Sequence, residues 1–174
     1  TGLKGDKVSD TKHHGGIDKA IFANALSNYT KWQNFLKSNE PLPYGALAEN
    51  LTLEEIDEND VFIGEIHQIG EVILEVSQPR EPCWKIGQKW HNKYFTKYIY
   101  DSGETGWYYR VLQTGLIKKD DRVKLIKRVD NKVSIKKANE ILREAKKYPE
   151  LVDYLLNMEV LSDAWKNSLR KKVG

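Results

Sequence analysis

Val72-Ile73-Leu74-Glu75-Val76-Ser77-Gln78-Pro79-Arg80-Glu81-Pro82-Cys83-Trp84-Lys85-Ile86 is the stretch on which the fold of this chain turns. Its β-branched, apolar opening from Val72 to Val76 reads as a strand. Two prolines then hold the next residues extended, because proline fixes its own φ, lacks an N–H and pushes the preceding residue out of the helical region. The chain's one cysteine, Cys83, is therefore presented at a stiff strand end, with Arg80 and Lys85 within a few residues. Positive charge near a thiol favours the thiolate, the form that ligates metals and attacks electrophiles. The plainer alternative is a small buried hydrophobe. The Pro-x-x-Pro-Cys presentation and the basic flanks weigh toward function.

Further short strands lie on both sides of this stretch. Upstream they are Ala20-Ile21-Phe22-Ala23, the strand-like residues 45–52, Val61-Phe62-Ile63-Gly64 and Ile66-His67-Gln68-Ile69-Gly70. Downstream they are Trp107-Tyr108-Tyr109-Arg110-Val111-Leu112 and Arg122-Val123-Lys124-Leu125-Ile126, joined near Gly115. Short strands punctuated by glycine point to a mainly β barrel or sandwich. Residues 27–37 follow a helical period, with Ser27 as cap and Tyr29, Trp32, Phe35 and Leu36 on one side as core. The segment carrying Trp90, Tyr94, Phe95, Tyr98 and Ile99 reads as one or two short helices. The acidic run Glu54-Glu55-Ile56-Asp57-Glu58-Asn59-Asp60 reads as solvated surface.

The period changes near Val133. Ser134 can cap a helix whose Ala138, Ile141, Leu142 and Ala145 share one face. Pro149 suits a first helical position, and Leu151, Val152, Leu155 and Leu156 make the next apolar stripe. Ser162 opens a third helix carrying Trp165 and Leu169, and Arg170-Lys171-Lys172 suits its C-terminal end. Residues 134–174 thus read as a small three-helix domain after a β domain over residues 1–130. Helices this short must pack on each other or on the sheet.

Composition bounds the function. The chain has 174 residues, 40% of them hydrophobic, enough for a folded core. A net charge of +3, from 28 basic and 25 acidic side chains, is too mild to argue for nucleic acid. One cysteine excludes an internal disulfide framework and a CxxC zinc site. No apolar run approaches a membrane span and no signal peptide opens the sequence, so a cytoplasmic protein without membrane or nucleic-acid partners is expected.

A second candidate segment is Lys12-His13-His14-Gly15-Gly16-Ile17-Asp18-Lys19. Paired glycines let backbone N–H groups approach an anion closely, and His14 and Lys19 add donors.

Five segments in order now resemble one family: Gly2-Leu3-Lys4-Gly5-Asp6, His14-Gly15-Gly16-Ile17-Asp18-Lys19-Ala20, Glu49-Asn50-Leu51-Thr52, Val76-Ser77-Gln78-Pro79-Arg80-Glu81-Pro82-Cys83 and Gly106-Trp107-Tyr108-Tyr109-Arg110-Val111-Leu112. The chain resembles MOSC-domain proteins (the module named after the C-terminal domain of molybdenum cofactor sulfurase), in the subgroup where a three-helix "3-alpha" domain follows. The resemblance implies a barrel-like fold with peripheral helices, and a barrel wall short of the strand that precedes the Gly-Asp motif in the family. Two departures concern turns: Ala48 stands where the family often has glycine before Glu-Asn-Leu-Thr, and Asp120-Asp121 where it favours Gly-Asp.

The resemblance implies molybdenum cofactor, a pterin dithiolene ending in a phosphate, and reduction of N-hydroxylated compounds, including hydroxylaminopurine-type base analogues. A metal already held by dithiolene sulfurs would take a soft thiolate ligand, for which Cys83 is the candidate. The phosphate needs cationic and N–H donors; Arg80, Lys85, Arg110, Lys19 and the Gly15-Gly16 loop can supply them. Proton delivery during N–O cleavage falls to Asp18 or His14. Arg110 also has a plain structural role open to it, because buried strand arginines commonly pair with carboxylates. Electrons would come from a separate reductase, for which the three helices are a candidate docking surface. The alternative function is a cofactor or sulfur carrier without turnover of its own.

Overall fold

The computed structural model describes residues 2, 3, 5, 15–130 and 133–174. In chain order the elements are β1 (Ile21–Ala25), α1 (Ser27–Leu36), β2 (Leu51–Leu53), β3 (Ile66–Ile69), β4 (Val72–Pro79), α2 (Lys85–Lys89), α3 (Phe95–Ser102), β5 (Trp107–Gln113), β6 (Val123–Lys127), α4 (Ile135–Arg143), α5 (Pro149–Asn157) and α6 (Asp163–Val173). The strands form one curled, half-barrel sheet in the order β2-β1-β5-β4-β3-β6. Only β1 and β2 run parallel; the other neighbours are antiparallel. Helices hold 36% of the chain and strands 21%. The expected mainly β architecture is therefore corrected to a mixed one. The reason is that the sheet is covered on both faces, which takes helices on each side.

On one face Ile21, Ala23, Leu74, Val76, Trp107 and Tyr109 pack with Ile135, Ala138, Ile141, Leu155, Trp165 and Leu169 in a single hydrophobic cluster. The C-terminal helices thus bury their apolar stripes against the sheet. Their starts follow the capping chemistry: Ser134 Oγ accepts from the Lys137 N–H at 3.2 Å and Ser162 Oγ from the Trp165 N–H at 3.2 Å. Pro149 occupies the first turn of α5. On the other face Phe22 and Tyr108 pack with Tyr29, Trp32, Ile86, Phe95 and Ile99 from α1, α2 and α3.

Strand β4 runs further than its apolar pattern, through a bulge at Ser77 to Gln78 and Pro79, which pair with Tyr108 and Trp107. Proline is tolerated there because it closes the strand next to a bulge. Other expectations give way locally. Within residues 45–52, only Leu51 and beyond is strand, the rest forming a turn. Phe62 makes one isolated bridge, to Ser134, and no strand. Ser27 does not cap α1: Leu26 occupies that position, and its N–H is taken by the Leu53 carbonyl at 2.8 Å, because β1 leads directly into the helix. Glu58, read as part of a solvated run, is 1% exposed. It is carried inward by the same turn that brings Val61 and Ile63 into the core, while Glu54, Glu55 and Asp60 stay outside.

Candidate functional site

Alternation along β5 builds the site. Trp107 and Tyr109 enter the apolar cluster, so Tyr108 and Arg110 face the opposite side. Arg110 donates from Nε to Asp18 Oδ1 at 2.5 Å and from Nη1 to Glu75 Oε2 at 2.8 Å, Glu75 being its cross-strand partner on β4. Ser77 Oγ, placed by the bulge, lies 2.5 Å from the Asp18 carbonyl and 3.0 Å from that of Tyr108. The helical turn Ile17–Lys19 is thereby fixed to β4 and β5. Just before it, Gly16 has φ 88 and ψ 175, a conformation essentially confined to glycine. An added Cβ there would meet nothing within 4 Å among the described residues. The requirement is one of backbone conformation.

Arg80 is the second centre. Its residue is 5% exposed, and its backbone N–H is held by the Gly106 carbonyl at 3.0 Å. The guanidinium lies over the Phe22 ring, 5.2 Å from the centroid. Burial lowers its pKa, while Tyr108, Cys83 and Glu49 act in the opposite sense by favouring the charged form. An arginine remains a cation at neutral pH all the same. Its Nη1 has no hydrogen-bond partner among the described residues. Tyr108 is pushed up by burial, with Arg80 pulling against it. Cys83 is half-buried, and its carbonyl accepts from the Ile86 N–H at 3.0 Å and Thr96 Oγ1 at 3.4 Å.

The candidates from sequence therefore fall into two groups. Asp18 and Arg110 form an ion pair beneath the Gly15-Gly16 loop. Arg80 and Cys83 share an electrostatic environment at the end of β4. Lys19 is half-buried, its N–H bonded to the Gly16 carbonyl at 3.2 Å. Lys85 is exposed at the start of α2. His14 lies outside the described residues.

The sequence reading left Glu49 and Asn50 without a role, although both stand in a quoted motif. Asn50 clamps β1, accepting from the Phe22 N–H at 2.8 Å and donating to the Phe22 carbonyl at 2.8 Å. It so fixes the ring beneath Arg80. Glu49 accepts from the Tyr29 hydroxyl and from the Leu47 N–H at 2.9 Å. Tyr29 is pushed up to about 12, by burial first and by the bond to Glu49 second. Glu58 Oε1 accepts from the Gly106 N–H at 2.8 Å and Asn28 Nδ2 at 3.0 Å, and burial raises its pKa to about 7.

Beside Cys83, α2 and α3 frame an open groove of about 690 Å³ lined by Trp84, Gln88, His91, Lys93 and Thr96. Among the described residues no three His, Cys, Asp or Glu side chains gather as a metal-binding group, and no helix is long and apolar enough to cross a membrane.

Comparison with known proteins fits this geometry. The MOSC domain matches residues 10–124. YflK of Bacillus subtilis (strain 168) is 34% identical over 170 residues, covering 98% of this chain and 76% of the relative. A protein of Gibberella moniliformis named reductase is 34% identical over 148 residues, 82% of this chain but 26% of its own length. The crystal structure of YiiM from Geobacillus stearothermophilus superposes with a TM-score of 0.85 at 32% identity, covering 92% of this chain and 81% of that one. A domain match over residues 10–124, with relatives alike over nearly the whole chain in sequence and in fold, makes this chain a member of the MOSC domain family.

Proposed function

We propose that this chain is an oxidoreductase that binds molybdenum cofactor through Cys83 and reduces N-hydroxylated compounds, hydroxylaminopurine-type base analogues among them. The observation that carries the reading is Arg80: a buried cation with an unpartnered Nη1 beside the half-buried Cys83. A buried charge without full compensation is costly, and an anionic group seated against it would supply the missing acceptor. The terminal phosphate of a pterin cofactor has that chemistry. A single thiolate does not hold a metal by itself, so the metal would arrive with ligands of its own, as a dithiolene provides. The residues present fit the group. Kinship with a protein named reductase supports redox chemistry.

When bound, the cofactor supplies the two-electron step. Overall, R–NHOH takes up two electrons and two protons, the N–O bond breaks, and R–NH₂ and water leave. In this scheme Cys83 ligates and Arg80 binds the anion, with Lys85 close by. Gly15 and Gly16 leave their backbone open to the ligand, and Lys19 adds charge below the loop. Arg110 holds Asp18, and through it the loop, in place. Asp18 or His14 delivers protons.

The test compares wild type with Cys83→Ala, both purified from cells supplied with molybdate. Molybdenum and pterin in the wild type, loss of metal in the variant, and loss of hydroxylaminopurine reduction without loss of fold are expected. Full reduction by Cys83→Ala would sink the mechanism. Metal loading without substrate-dependent reoxidation would leave a cofactor carrier instead.

A further inference from the structure

An enzyme of the kind proposed needs an electron donor, and the molecule offers two basic surfaces to compare as its docking site. The first surrounds Cys83. Residues 82–96 contain Lys85, Lys89 and Lys93 and no Asp or Glu. Trp84 and Tyr94 on the same stretch are 62% and 63% exposed. Large exposed aromatics set close together mark a protein-binding patch, with charged groups at its rim. Two of the lysines are occupied by neutral groups: Lys89 donates to the Gly45 carbonyl at 3.0 Å, and Lys93 stands 5.0 Å over the Tyr94 ring. Their charge is held in place and not cancelled by these contacts. The second surface, on the C-terminal helices, carries Lys146, Lys147 and the run Arg170-Lys171-Lys172. There Lys147 is paired with Glu144 at 2.6 Å, and Lys137 nearby with Glu140 at 3.0 Å.

We infer that the α2–α3 face is the docking surface for an acidic electron-transfer protein, with Trp84 and Tyr94 as apolar anchors and Lys89 and Lys93 as its charged rim. The inference rests on the redox reading above and names the partner's surface chemistry. Two arguments favour this face over the C-terminal helices. Electron transfer falls steeply with distance, and α2 and α3 are hydrogen-bonded to Cys83 itself through Ile86 and Thr96. Charge also selects the partner: Lys89 and Lys93 are held by neutral groups, while on the same face Lys97 is paired with Asp101, and a rim of uncancelled cations attracts an acidic surface and repels a basic one. The donor is a reduced one-electron carrier that delivers two electrons in successive encounters.

Binding is measured without turnover, with an acidic [2Fe–2S] ferredoxin as probe and the basic protein cytochrome c as control, at a series of salt concentrations. Ferredoxin should bind the wild type at low salt, weaken as salt rises, and lose roughly tenfold in affinity on K89E/K93E. The neutral pair K89Q/K93Q should fall between, which separates charge from any disturbance of the Gly45 contact. K146E/K171E/K172E should leave binding unchanged. Weakening by the C-terminal variant with no effect of K89E/K93E would overturn the assignment, as would equal binding of cytochrome c. Because no reduction is assayed, this result stands or falls separately from the Cys83→Ala test.

Discussion

Trp107 and Tyr108 are neighbours on one strand and live under different physics. Trp107, with Tyr109 beyond it, enters a cluster shared by the sheet and the C-terminal helices. What matters there is volume, since close-packed interiors register each missing methylene. Tyr108, with Arg110 beyond it, faces the other side, where charged groups stand beside a second apolar cluster: the Asp18–Arg110–Glu75 chain and the incompletely satisfied Arg80. The comparison teaches where each kind of group stores its specificity. The packed rings should answer to substitution in stability, and the charged groups in binding.

The largest expected effect tests that division directly. Trp107→Ala removes a fully buried ring and should cost about 3–5 kcal/mol of unfolding free energy, measured by denaturant titration. Arg80→Met should cost less than about 1 kcal/mol, or stabilise, because it removes a buried charge without full compensation while keeping an unbranched stem. Its damage should appear as lost pterin in the purified protein. Equal destabilisation by both variants would break the comparison and make Arg80 an ordinary structural residue.

Glu58 sits at the seam and sharpens the contrast through pH. The fold raises its pKa from 4.5 to about 7, mainly by burial, so the folded state holds this proton more tightly than the unfolded chain. Its contribution is fully present below pH 4.5 and is lost as pH rises through 7, a span of roughly 3 kcal/mol. His67 acts in the opposite direction. Burial lowers its pKa from 6.5, against the pull of Glu65, so stability is lost as pH falls below 6.5. Glu58→Gln keeps an acceptor for the Gly106 N–H and removes the titrating carboxyl, while it turns one acceptor of the Asn28 Nδ2 group, 3.0–3.2 Å away, into an amide donor. The variant should therefore melt higher than wild type at pH 8, and its stability should rise through pH 6.5 where the wild type's falls. Calorimetry from pH 5 to 8 checks both; a variant that still loses stability toward pH 8 would remove Glu58 from the account.

How much of this was legible in the sequence depends on range. The caps at Ser134 and Ser162, the helical Pro149 and the apolar opening of β4 obey rules acting within a few residues, and the structure follows them. Cys83 and Arg80 were singled out together because one short motif carries both. The Asp18–Arg110 pair joins residues 92 positions apart, and the Tyr29–Glu49 bond spans 20; no local pattern announces either. Glu58 was misread because its neighbours in the acidic run are exposed, and only the tertiary turn carries this one carboxyl inside. The strand share was overcounted because the apolar residues within 45–50 and around Phe62 suit a strand by pattern, yet the chain turns there and leaves only one isolated bridge.

The smallest predicted effect concerns the loop behind the charged face. Ala48 has φ 68 and its N–H bonds the Gly45 carbonyl at 2.9 Å, within the turn that Tyr29 and Glu49 hold. A left-handed conformation costs an L-residue about 1–2 kcal/mol, and glycine escapes that cost while losing roughly 0.5–1 kcal/mol through its freer unfolded chain. Ala48→Gly should therefore stabilise by about 0.5–1 kcal/mol, visible as a small rise in the urea midpoint. Asp120, with φ 70, offers the matched control. Aspartate is several-fold enriched in this region among non-glycine residues, so Asp120→Gly should change stability by less than about 0.5 kcal/mol. A larger gain at Asp120 than at Ala48 would mean that side-chain chemistry, and not backbone strain, sets the cost of these turns.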